Sequence, residues 1–335
     1  MQAVIYGLEG FALNDAELNF FRDARPAGYI LFRRNCQDRA QLRALTDSLR
    51  TLEGHDNVPI LIDQEGGRVA RMRPPEWPAF PTGEAFDRLY QLAPSSAIEA
   101  ARVNARALGL MLAEVGVTVD ALPMVDVRQL GASDIVGDRA LGCNPMQVSA
   151  LGRAILDGLM SAGVLGIVKH IPGHGRALVD SHHELPVVDD DEDALMIDLE
   201  PFERLRDAPM AMTSHLLYKV WDAARPASQS PIVIHDIIRQ RIGFDGFLMS
   251  DDIGMEALAG DHGERAAACV AAGCDVALHC DGKMDNMMRV ANAVSALSDI
   301  GEARLARAMA MRFAPDDGID FAEAVAKRDA LLALV

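Results

Sequence analysis

Residues 166–170 read Gly166-Ile167-Val168-Lys169-His170, an uninterrupted apolar run that ends abruptly in two polar side chains. A short run of this kind, without alternation, is typical of a parallel strand that is buried on both faces. Similar apolar runs recur along the chain, and we predict eight strands at residues 3–6, 29–32, 60–62, 117–122, 166–168, 211–213, 247–249 and 276–278. Eight is the number of strands that a closed parallel barrel requires.

Stretches with a helical spacing of apolar residues separate the predicted strands. They include residues 39–52, 96–115, 145–162 and 264–272. This order predicts a parallel α/β fold, and we favour a (β/α)8 TIM-type barrel over an open doubly wound sheet. The open sheet would be favoured by a GxGxxG turn after its first strand, which Gly7-Leu8-Glu9-Gly10 does not supply. Because no linker or internal repeat divides the chain, we expect residues 1–335 to form a single barrel catalytic domain.

Charge and cysteine content limit the partners and the compartment. The 335-residue chain has a formal net charge of −17, which disfavours nucleic acid and anionic membrane surfaces as partners. No basic or long apolar segment precedes Glu9, so we expect no secretory signal, and no apolar stretch is long enough for a membrane span. Five cysteines without a CxxC pair indicate free thiols in a reducing compartment. We expect a cytoplasmic protein and, since nothing in the sequence marks an interface, a monomer.

Polar side chains follow five of the predicted strands. They are Asp63, Glu65 and Arg68 after the third strand, Asp126 and Arg139 after the fourth, Lys169, His170, Asp180, His182 and His183 after the fifth, His215 after the sixth, and Asp251 and Asp252 after the seventh. In a barrel of this type, the loops at the carboxyl ends of the strands carry the active site. Carboxylates, imidazoles and cations that converge on one rim predict a site for a polar, multiply hydroxylated ligand.

Five segments carry a resemblance to a known family. They are DQEGGRVAR from Asp63, GDRALG from Gly137, KHIPGHG from Lys169, VDSHHELP from Val179 and SDDIGM from Ser250. In this order and spacing they resemble the NagZ-type β-N-acetylhexosaminidases of glycoside hydrolase family 3, in their single-domain form. The resemblance implies a retaining enzyme that removes non-reducing N-acetylglucosamine (GlcNAc) from anhydromuropeptides in cytoplasmic cell-wall recycling. The implied reaction passes through a covalent glycosyl-aspartate intermediate.

Retention at the anomeric carbon needs a nucleophilic carboxylate and a group that first donates and later accepts a proton. Asp251 directly follows a buried run that would hold its backbone, and the family nucleophile corresponds to this residue. The alternative is an aspartate that caps the next helix, a role that suits Asp252 better. In the family, the proton carrier is a histidine paired with an aspartate, and these correspond to His182 and Asp180. From the residues alone, His183 is an equal competitor.

A histidine suits this role because its unperturbed pKa of about 6.5 allows it to give and take a proton near neutral pH. Asp180 would orient the ring and stabilise its charged form. Gly173 and Gly175 precede the pair, and we expect them to let the loop swing in when substrate binds.

The resemblance also implies a set of residues that hydrogen-bond the sugar hydroxyls. They correspond to Asp63, Arg139, Lys169 and His170. For all four, a structural ion pair is the alternative. Glu65 and Arg71 are weaker candidates that would brace the site. Asp126 could bind the sugar or support other residues of the site. We expect His215 to line the pocket.

Other functions are consistent with parts of the pattern. His170 and His174, together with nearby histidines and Asp251, resemble the zinc site of a metal-dependent barrel hydrolase. Pro172 and Gly173 disfavour the helix that would pair the first two histidines, so we predict no metal and no cofactor. A β-glycoside phosphorylase on the same fold is a further alternative, because a neutral histidine repels phosphate less than a carboxylate does. A non-catalytic sugar-binding barrel would be favoured by loss of the catalytic residues, which are present.

Overall fold

Eight parallel strands close into a barrel in the computed structural model, which describes residues 1–129, 131–316 and 318–335. The strands are β1 (Gln2–Gly7), β2 (Pro26–Leu31), β3 (Ile60–Ile62), β4 (Val119–Asp120), β5 (Leu165–Ile171), β6 (Met210–Thr213), β7 (Phe247–Asp252) and β8 (Val276–His279). Each strand pairs with its neighbours in chain order, and β1 pairs with β8 to complete the circle. The predicted (β/α)8 TIM-type barrel is therefore confirmed.

Three strands differ in length from the predicted apolar runs by three or more residues. β4 contains only Val119 and Asp120, and beside it the hydroxyl of Thr118 accepts a hydrogen bond from the backbone N–H of Ile60 at 2.8 Å, in place of a backbone acceptor. β5 continues through two polar residues to Ile171, and β7 continues to Asp252. Four of the polar residues that we placed after these strands are therefore on the strands themselves, where ladder hydrogen bonds restrain the backbone, namely Lys169, His170, Asp251 and Asp252.

Helices surround the barrel. They are α1 (Asp15–Ala24), α2 (Arg39–Glu53), α3 (Gly83–Leu92), α4 (Pro94–Glu114), α5 (Pro145–Ser161), α6 (Glu192–Arg204), α7 (His262–Ala272), α8 (Met284–Ala293), α9 (Asp299–Ala310) and α10 (Phe321–Leu332). A segment with π-helical hydrogen bonding, Val233–Arg241, occupies the crossover between β6 and β7. The four predicted helical stretches correspond to α2, α4, α5 and α7. Within the described ranges, none of the helices combines the length and apolarity that a bilayer span requires.

The strands are buried on both faces, as their apolar runs predict. Successive side chains of a strand point alternately into the barrel and toward the helices. Tyr6, Tyr29 and Phe247 are almost completely buried in these layers. Burial of each large apolar side chain contributes about 1.5–3 kcal/mol. The polar ends of β3, β5 and β7 therefore rest on a packed core and meet at one rim.

Candidate active site

A cavity of about 220 Å³ lies where β3, β5 and β7 end. Its lining includes six of the seven residues that the sequence assigned to the site, namely Asp63, Arg139, Lys169, His170, His182 and Asp251. The seventh, Asp180, is not among the lining residues and reaches the cavity through its hydrogen bond to His182. The structure thus brings together polar groups that are far apart in the chain.

Five charged side chains form one side of the cavity, which we call the ion-paired wall. The Nζ atom of Lys169 lies 3.1 Å from Oδ1 of Asp63 and 2.6 Å from Oε1 of Glu65. Arg139 donates two hydrogen bonds to the Glu65 carboxylate, at 2.9 and 2.7 Å. Arg71 donates one to Oδ2 of Asp63 at 3.0 Å. Each carboxylate holds two cations, which offsets the cost of burying charge.

These contacts keep the ion-paired wall charged. Burial opposes ionisation of Asp63, but the charges of Lys169 and Arg71 outweigh it and lower the pKa of the carboxyl to about 2. Burial likewise opposes ionisation of Glu65, while Arg139 and Lys169 hold its pKa well below the ordinary value. Burial would lower the pKa of the Lys169 ammonium, but the two carboxylates raise it. The ion pairs that we named as an alternative therefore exist, and the same side chains also face the cavity.

Asp126 supports the neighbouring histidines and is itself completely buried. Its Oδ2 accepts a hydrogen bond from Nδ1 of His170 at 2.7 Å, and its Oδ1 accepts from the backbone N–H groups of His170 and His174 at 3.1 and 2.6 Å. Burial opposes ionisation of Asp126, but His170 lowers its pKa through charge and hydrogen bonding. Two roles were left open for Asp126, binding of the ligand and support of other site residues, and the structure shows the second. Nε2 is then the ring nitrogen of His170 that remains for a ligand.

Asp251 is at the carboxyl end of β7, where the barrel restrains its backbone. Its Oδ1 accepts a hydrogen bond from the backbone N–H of Asp252 at 2.8 Å. Burial opposes ionisation of Asp251, but its electrostatic interactions with the His170 and His215 rings, together with this hydrogen bond, hold the pKa below the ordinary value. The side chain is therefore a carboxylate at neutral pH.

Asp252 does not cap the next helix, so that expectation is wrong. α7 begins at His262, and its N-cap is Asp261. Asp252 instead stabilises a turn, because its Oδ1 accepts hydrogen bonds from the backbone N–H groups of Gly254 at 2.9 Å and Cys280 at 3.3 Å.

The two adjacent acids have opposite pKa shifts. Burial raises the pKa of Asp252 to about 6, and the negative charge of Asp251 acts in the same direction. Asp251 interacts with the rings of His170 and His215 and accepts the backbone N–H of Asp252, and its pKa is lowered. Asp251 therefore loses its proton at a lower pH than Asp252 does.

His215 lies behind Asp251 and is not among the residues that line the cavity. Its Nδ1 accepts a hydrogen bond from the hydroxyl of Ser228 at 2.7 Å, and its Nε2 donates one to the backbone carbonyl of Asp252 at 3.0 Å. The prediction that His215 lines the pocket is therefore wrong. The ring holds the end of β7 in place, because both of its nitrogens are bound within the protein.

The loop of residues 172–186, which we call the Asp–His loop, carries a hydrogen-bonded pair. Nδ1 of His182 donates to Oδ1 of Asp180 at 2.7 Å, and the backbone N–H of His182 donates to the same oxygen at 2.9 Å. Burial of Asp180 opposes its ionisation, but these hydrogen bonds lower the pKa of its carboxyl. The His182 side chain is 58% exposed. Because His182 lines the cavity and His183 does not, the geometry favours His182 of the two histidines.

One contact holds the Asp–His loop together internally, and another packs its base against the segment that follows β4. Nε2 of His174 lies 3.2 Å from the hydroxyl of Ser181. A Cβ atom at Gly175 would lie 1.9 Å from the carbonyl oxygen of Val127, and Gly173 has a φ of +137°. The two glycines therefore permit close packing at the base of the loop, and the loop motion on substrate binding stays a prediction.

Sequence reasoning missed several residues that line the cavity, including two that contact His174 and Arg71. One is Ser181, which stands between the paired Asp180 and His182 and binds His174. The other is Phe32, directly after β2, whose ring lies 5.0 Å from the guanidinium carbon of Arg71. Both residues are inside segments that we quoted or predicted as strands. Their polarity and size gave no signal that distinguishes them from ordinary loop and core residues.

The histidines around the cavity do not form a metal site in the part of the chain that the structure describes. His170 and His182 each use Nδ1 to bind an aspartate. Within the described ranges, the one group of three donors close enough to share an ion lies elsewhere, at His262, His279 and Asp281. The metal-dependent alternative therefore lacks the ligand set that suggested it.

Comparisons with known proteins agree with the resemblance. The model of the N-terminal domain of glycosyl hydrolase family 3 matches residues 4–312. The chain belongs to this family. A β-hexosaminidase of Aromatoleum aromaticum is 36% identical over 327 residues, which cover 95% of this chain and 89% of the relative. A β-hexosaminidase of Chromobacterium violaceum is 39% identical over 290 residues, or 83% of this chain and 78% of the relative.

A solved member of the family has nearly the same fold over its whole length. The structure of NagZ from Neisseria gonorrhoeae, in complex with N-trifluoroacetyl-D-glucosamine, superposes with a TM-score of 0.89 at 29% identity. The match covers 99% of this chain and 98% of that one. The family and the fold predicted from the sequence are therefore both confirmed.

Proposed function

We propose that this chain is a retaining exo-β-N-acetylglucosaminidase with Asp251 as nucleophile and His182 as acid/base. The observation that carries the proposal is the presence of both groups in the lining of one polar cavity. Asp251 has a lowered pKa and is ionised. His182 is held by Asp180 and exposed to solvent. The β-hexosaminidase relatives, which cover most of the chain, support the same reaction class.

In the first step, the Asp251 carboxylate attacks the anomeric carbon while the His182 imidazolium gives its proton to the departing glycosidic oxygen. A bond forms between Asp251 and the sugar as the glycosidic bond breaks. In the second step, neutral His182 takes a proton from water, and the oxygen of that water displaces Asp251. Two displacements at the same carbon return the original configuration. Asp180 accepts from Nδ1 in both steps, so the reactive nitrogen of His182 is Nε2.

The remaining polar residues suit the binding of a single terminal sugar. Asp63, Arg139, Lys169 and His170 line the same cavity, and we propose that they hydrogen-bond its hydroxyls. Because the ion-paired wall is held by internal contacts, it needs little rearrangement when the ligand enters. A cavity of about 220 Å³ favours one monosaccharide unit, in line with removal from a chain end.

We further propose that the substrate is a GlcNAc-containing anhydromuropeptide and that the reaction belongs to cytoplasmic cell-wall recycling. This extends the reaction class of the relatives to the substrate that the family resemblance implies. The related NagZ of Neisseria gonorrhoeae was solved with an N-acylated glucosamine derivative, which supports a 2-acylamino sugar as the terminal unit. We also propose that one barrel domain, residues 1–335, carries the whole activity, without a metal or cofactor, and that it acts as a monomer.

The test is hydrolysis of 4-nitrophenyl N-acetyl-β-D-glucosaminide with a chelator present, followed by trapping with a 2-fluoro glycoside. We expect turnover that resists the chelator and a covalent label on the peptide that contains Asp251. Release of GlcNAc from a purified anhydromuropeptide, with no cleavage inside a longer oligosaccharide, would support the exo-acting assignment. Turnover without a label on Asp251 would contradict the covalent mechanism. If neither the 4-nitrophenyl glycoside nor the anhydromuropeptide is hydrolysed, the proposed activity is contradicted.

A further inference from the structure

A second cluster of chemically reactive side chains lies at the end of β8, outside the catalytic cavity. Leu278 and Cys280 line that cavity, whereas His279, between them, does not. Successive residues of a strand point to opposite faces, so the His279 ring faces the helical layer. There it is completely buried and meets His262, the first residue of α7, and Asp281.

The three donor atoms are spaced like the ligands of one metal ion. Nε2 of His279 lies 3.2 Å from Nδ1 of His262 and 3.3 Å from Oδ1 of Asp281. All three atoms lie within 4.8 Å of one another. Tetrahedral zinc binds histidine nitrogen at about 2.0–2.1 Å, which places neighbouring ligand atoms about 3.3 Å apart. The two measured separations match that value.

The groups that surround the cluster restrain its ligands. Asp281 is fixed because Oδ1 accepts from the backbone N–H of Lys283 at 2.8 Å and Oδ2 accepts from Nδ2 of Asn286 at 2.6 Å. The ring of Tyr6 packs edge-on against His279, with 5.8 Å between ring centroids. Such supporting contacts orient the ligands of metal sites. Nδ1 of His279 is buried without a partner among the described residues, so the polar contacts of the ring are at Nε2.

The exposure and the charge of these three residues are also suited to binding a cation. His262 and Asp281 are both partly exposed, so an ion can reach the site from solvent. Two imidazoles and one carboxylate form a donor set that borderline divalent ions such as zinc prefer, and water can complete the tetrahedron. Unlike the histidines of the catalytic cavity, these residues come from the start of α7, the last residue of β8 and the loop that follows β8.

From these observations we propose that His262, His279 and Asp281 form a binding site for a divalent transition-metal ion of the zinc class, separate from the catalytic cavity. The ion joins the start of α7 to the end of β8. It therefore stabilises the barrel next to the β7 end that carries Asp251. The proposal is independent of the proposed glycosidase activity.

The test is calorimetric titration of the chelator-treated full-length protein with Zn²⁺, together with the visible spectrum of its Co²⁺ complex. We expect one saturable site with a tetrahedral Co²⁺ spectrum and a rise in Tm on loading. His262→Ala and Asp281→Asn should each weaken binding by about 100-fold or more, since loss of even a supporting contact costs about 10–100-fold. The Asp281→Asn side chain keeps one oxygen that can accept from the backbone N–H of Lys283, so this variant removes the charge while it retains the turn.

Two controls separate this site from other histidines. His235→Ala removes an exposed histidine that binds Asp236 at 2.6 Å and Gln240 at 3.3 Å, and it should leave the affinity for the ion unchanged. His182→Ala should also leave it unchanged, because the catalytic cavity is elsewhere. The proposal is overturned if the wild-type protein binds no ion, if binding survives both site substitutions, or if His182→Ala removes it.

A measurement on the wild type covers the case in which the site variants fail to fold. Crystals soaked in Zn²⁺ should give an anomalous difference peak about 2.0–2.2 Å from the three donor atoms. A well-ordered structure without a peak at these residues would overturn the proposal.

Discussion

The ion-paired wall and the Asp–His loop meet in one cavity, but they are built in opposite ways. In the wall, the Lys169 and Glu65 side chains are only 3% and 6% exposed, and both are paired with charges from distant segments of the chain. In the loop, the His182 side chain is 58% exposed, and its partner Asp180 is only two residues away. The wall depends on the fold of the whole barrel, whereas the loop pair is local.

The difference follows from what each region has to do. Fixed charges that orient a ligand act most strongly where water is excluded, but their burial is tolerable only if they are paired. A group that gives and takes a proton in each turnover must reach both the substrate and water. The contrast predicts that substitutions in the buried part change both rate and stability, whereas substitutions in the loop change the rate alone.

The largest effect is expected from Asp251→Asn. The amide keeps the shape of the carboxylate but removes the nucleophile, so kcat/KM should fall by about 10⁴-fold or more. Steady-state kinetics with 4-nitrophenyl N-acetyl-β-D-glucosaminide would measure it, with circular dichroism as a check on folding. The adjacent Asp252→Asn is the matched control and should lose less than about tenfold. Equal losses in the two variants would contradict the assignment.

His182→Ala should have the next largest effect, of a kind that depends on the leaving group. For a substrate with a basic leaving group, kcat/KM should fall by about 10²–10⁴-fold, because no acid protonates the departing oxygen. For the 4-nitrophenyl glycoside, kcat/KM should fall much less, whereas kcat falls because water is no longer activated. The control is His183→Ala, which should change neither constant by more than about twofold. A uniform loss on both substrates would argue against an acid/base role.

Glu65→Gln should reveal the stability difference between the regions. It leaves the buried Arg139 and Lys169 short of a partner, and breaking a buried pair in this way costs about 3–5 kcal/mol. The isosteric control in the loop, Asp180→Asn, removes half of an exposed pair and should cost less than about 1 kcal/mol. Denaturant unfolding at neutral pH measures both. Similar costs would show that the two regions do not differ in the way proposed.

The smallest effect concerns the pH dependence of stability. The pKa of Asp252 in the folded protein is raised to about 6, so the folded state is favoured by its protonation. This contribution is complete below the ordinary aspartate pKa and is lost as the pH rises through about 6. Asp252→Asn should therefore be more stable than wild type above pH 7, on the order of 2 kcal/mol, and show no such gain near pH 4. Unfolding curves across this range would test it, and an unchanged difference would refute it.

The sequence was sufficient for the barrel because its strands are buried on both faces, which leaves uninterrupted apolar runs. The predicted strand ends were less accurate, because hydrogen bonds determine where a strand ends. Beside β4, for example, the hydroxyl of Thr118 accepts a hydrogen bond from a backbone N–H of β3. Motifs located the site, but not the contacts inside it. That Asp126 supports histidines, that His215 lies behind Asp251, and that Asp252 binds a turn are consequences of packing between distant segments. No local pattern contains that information.

The exposure of His182 also makes this corner of the barrel open to redesign. Its side chain is mostly exposed to solvent. The ion pair of Lys169 and Glu65 in the wall does not depend on His182 and remains when this residue is replaced. An engineer could exchange the neutral proton carrier for an anionic one, such as His182→Glu, without dismantling the scaffold. The same freedom is available to evolution, which can vary the chemistry of the rim while the barrel beneath it stays the same.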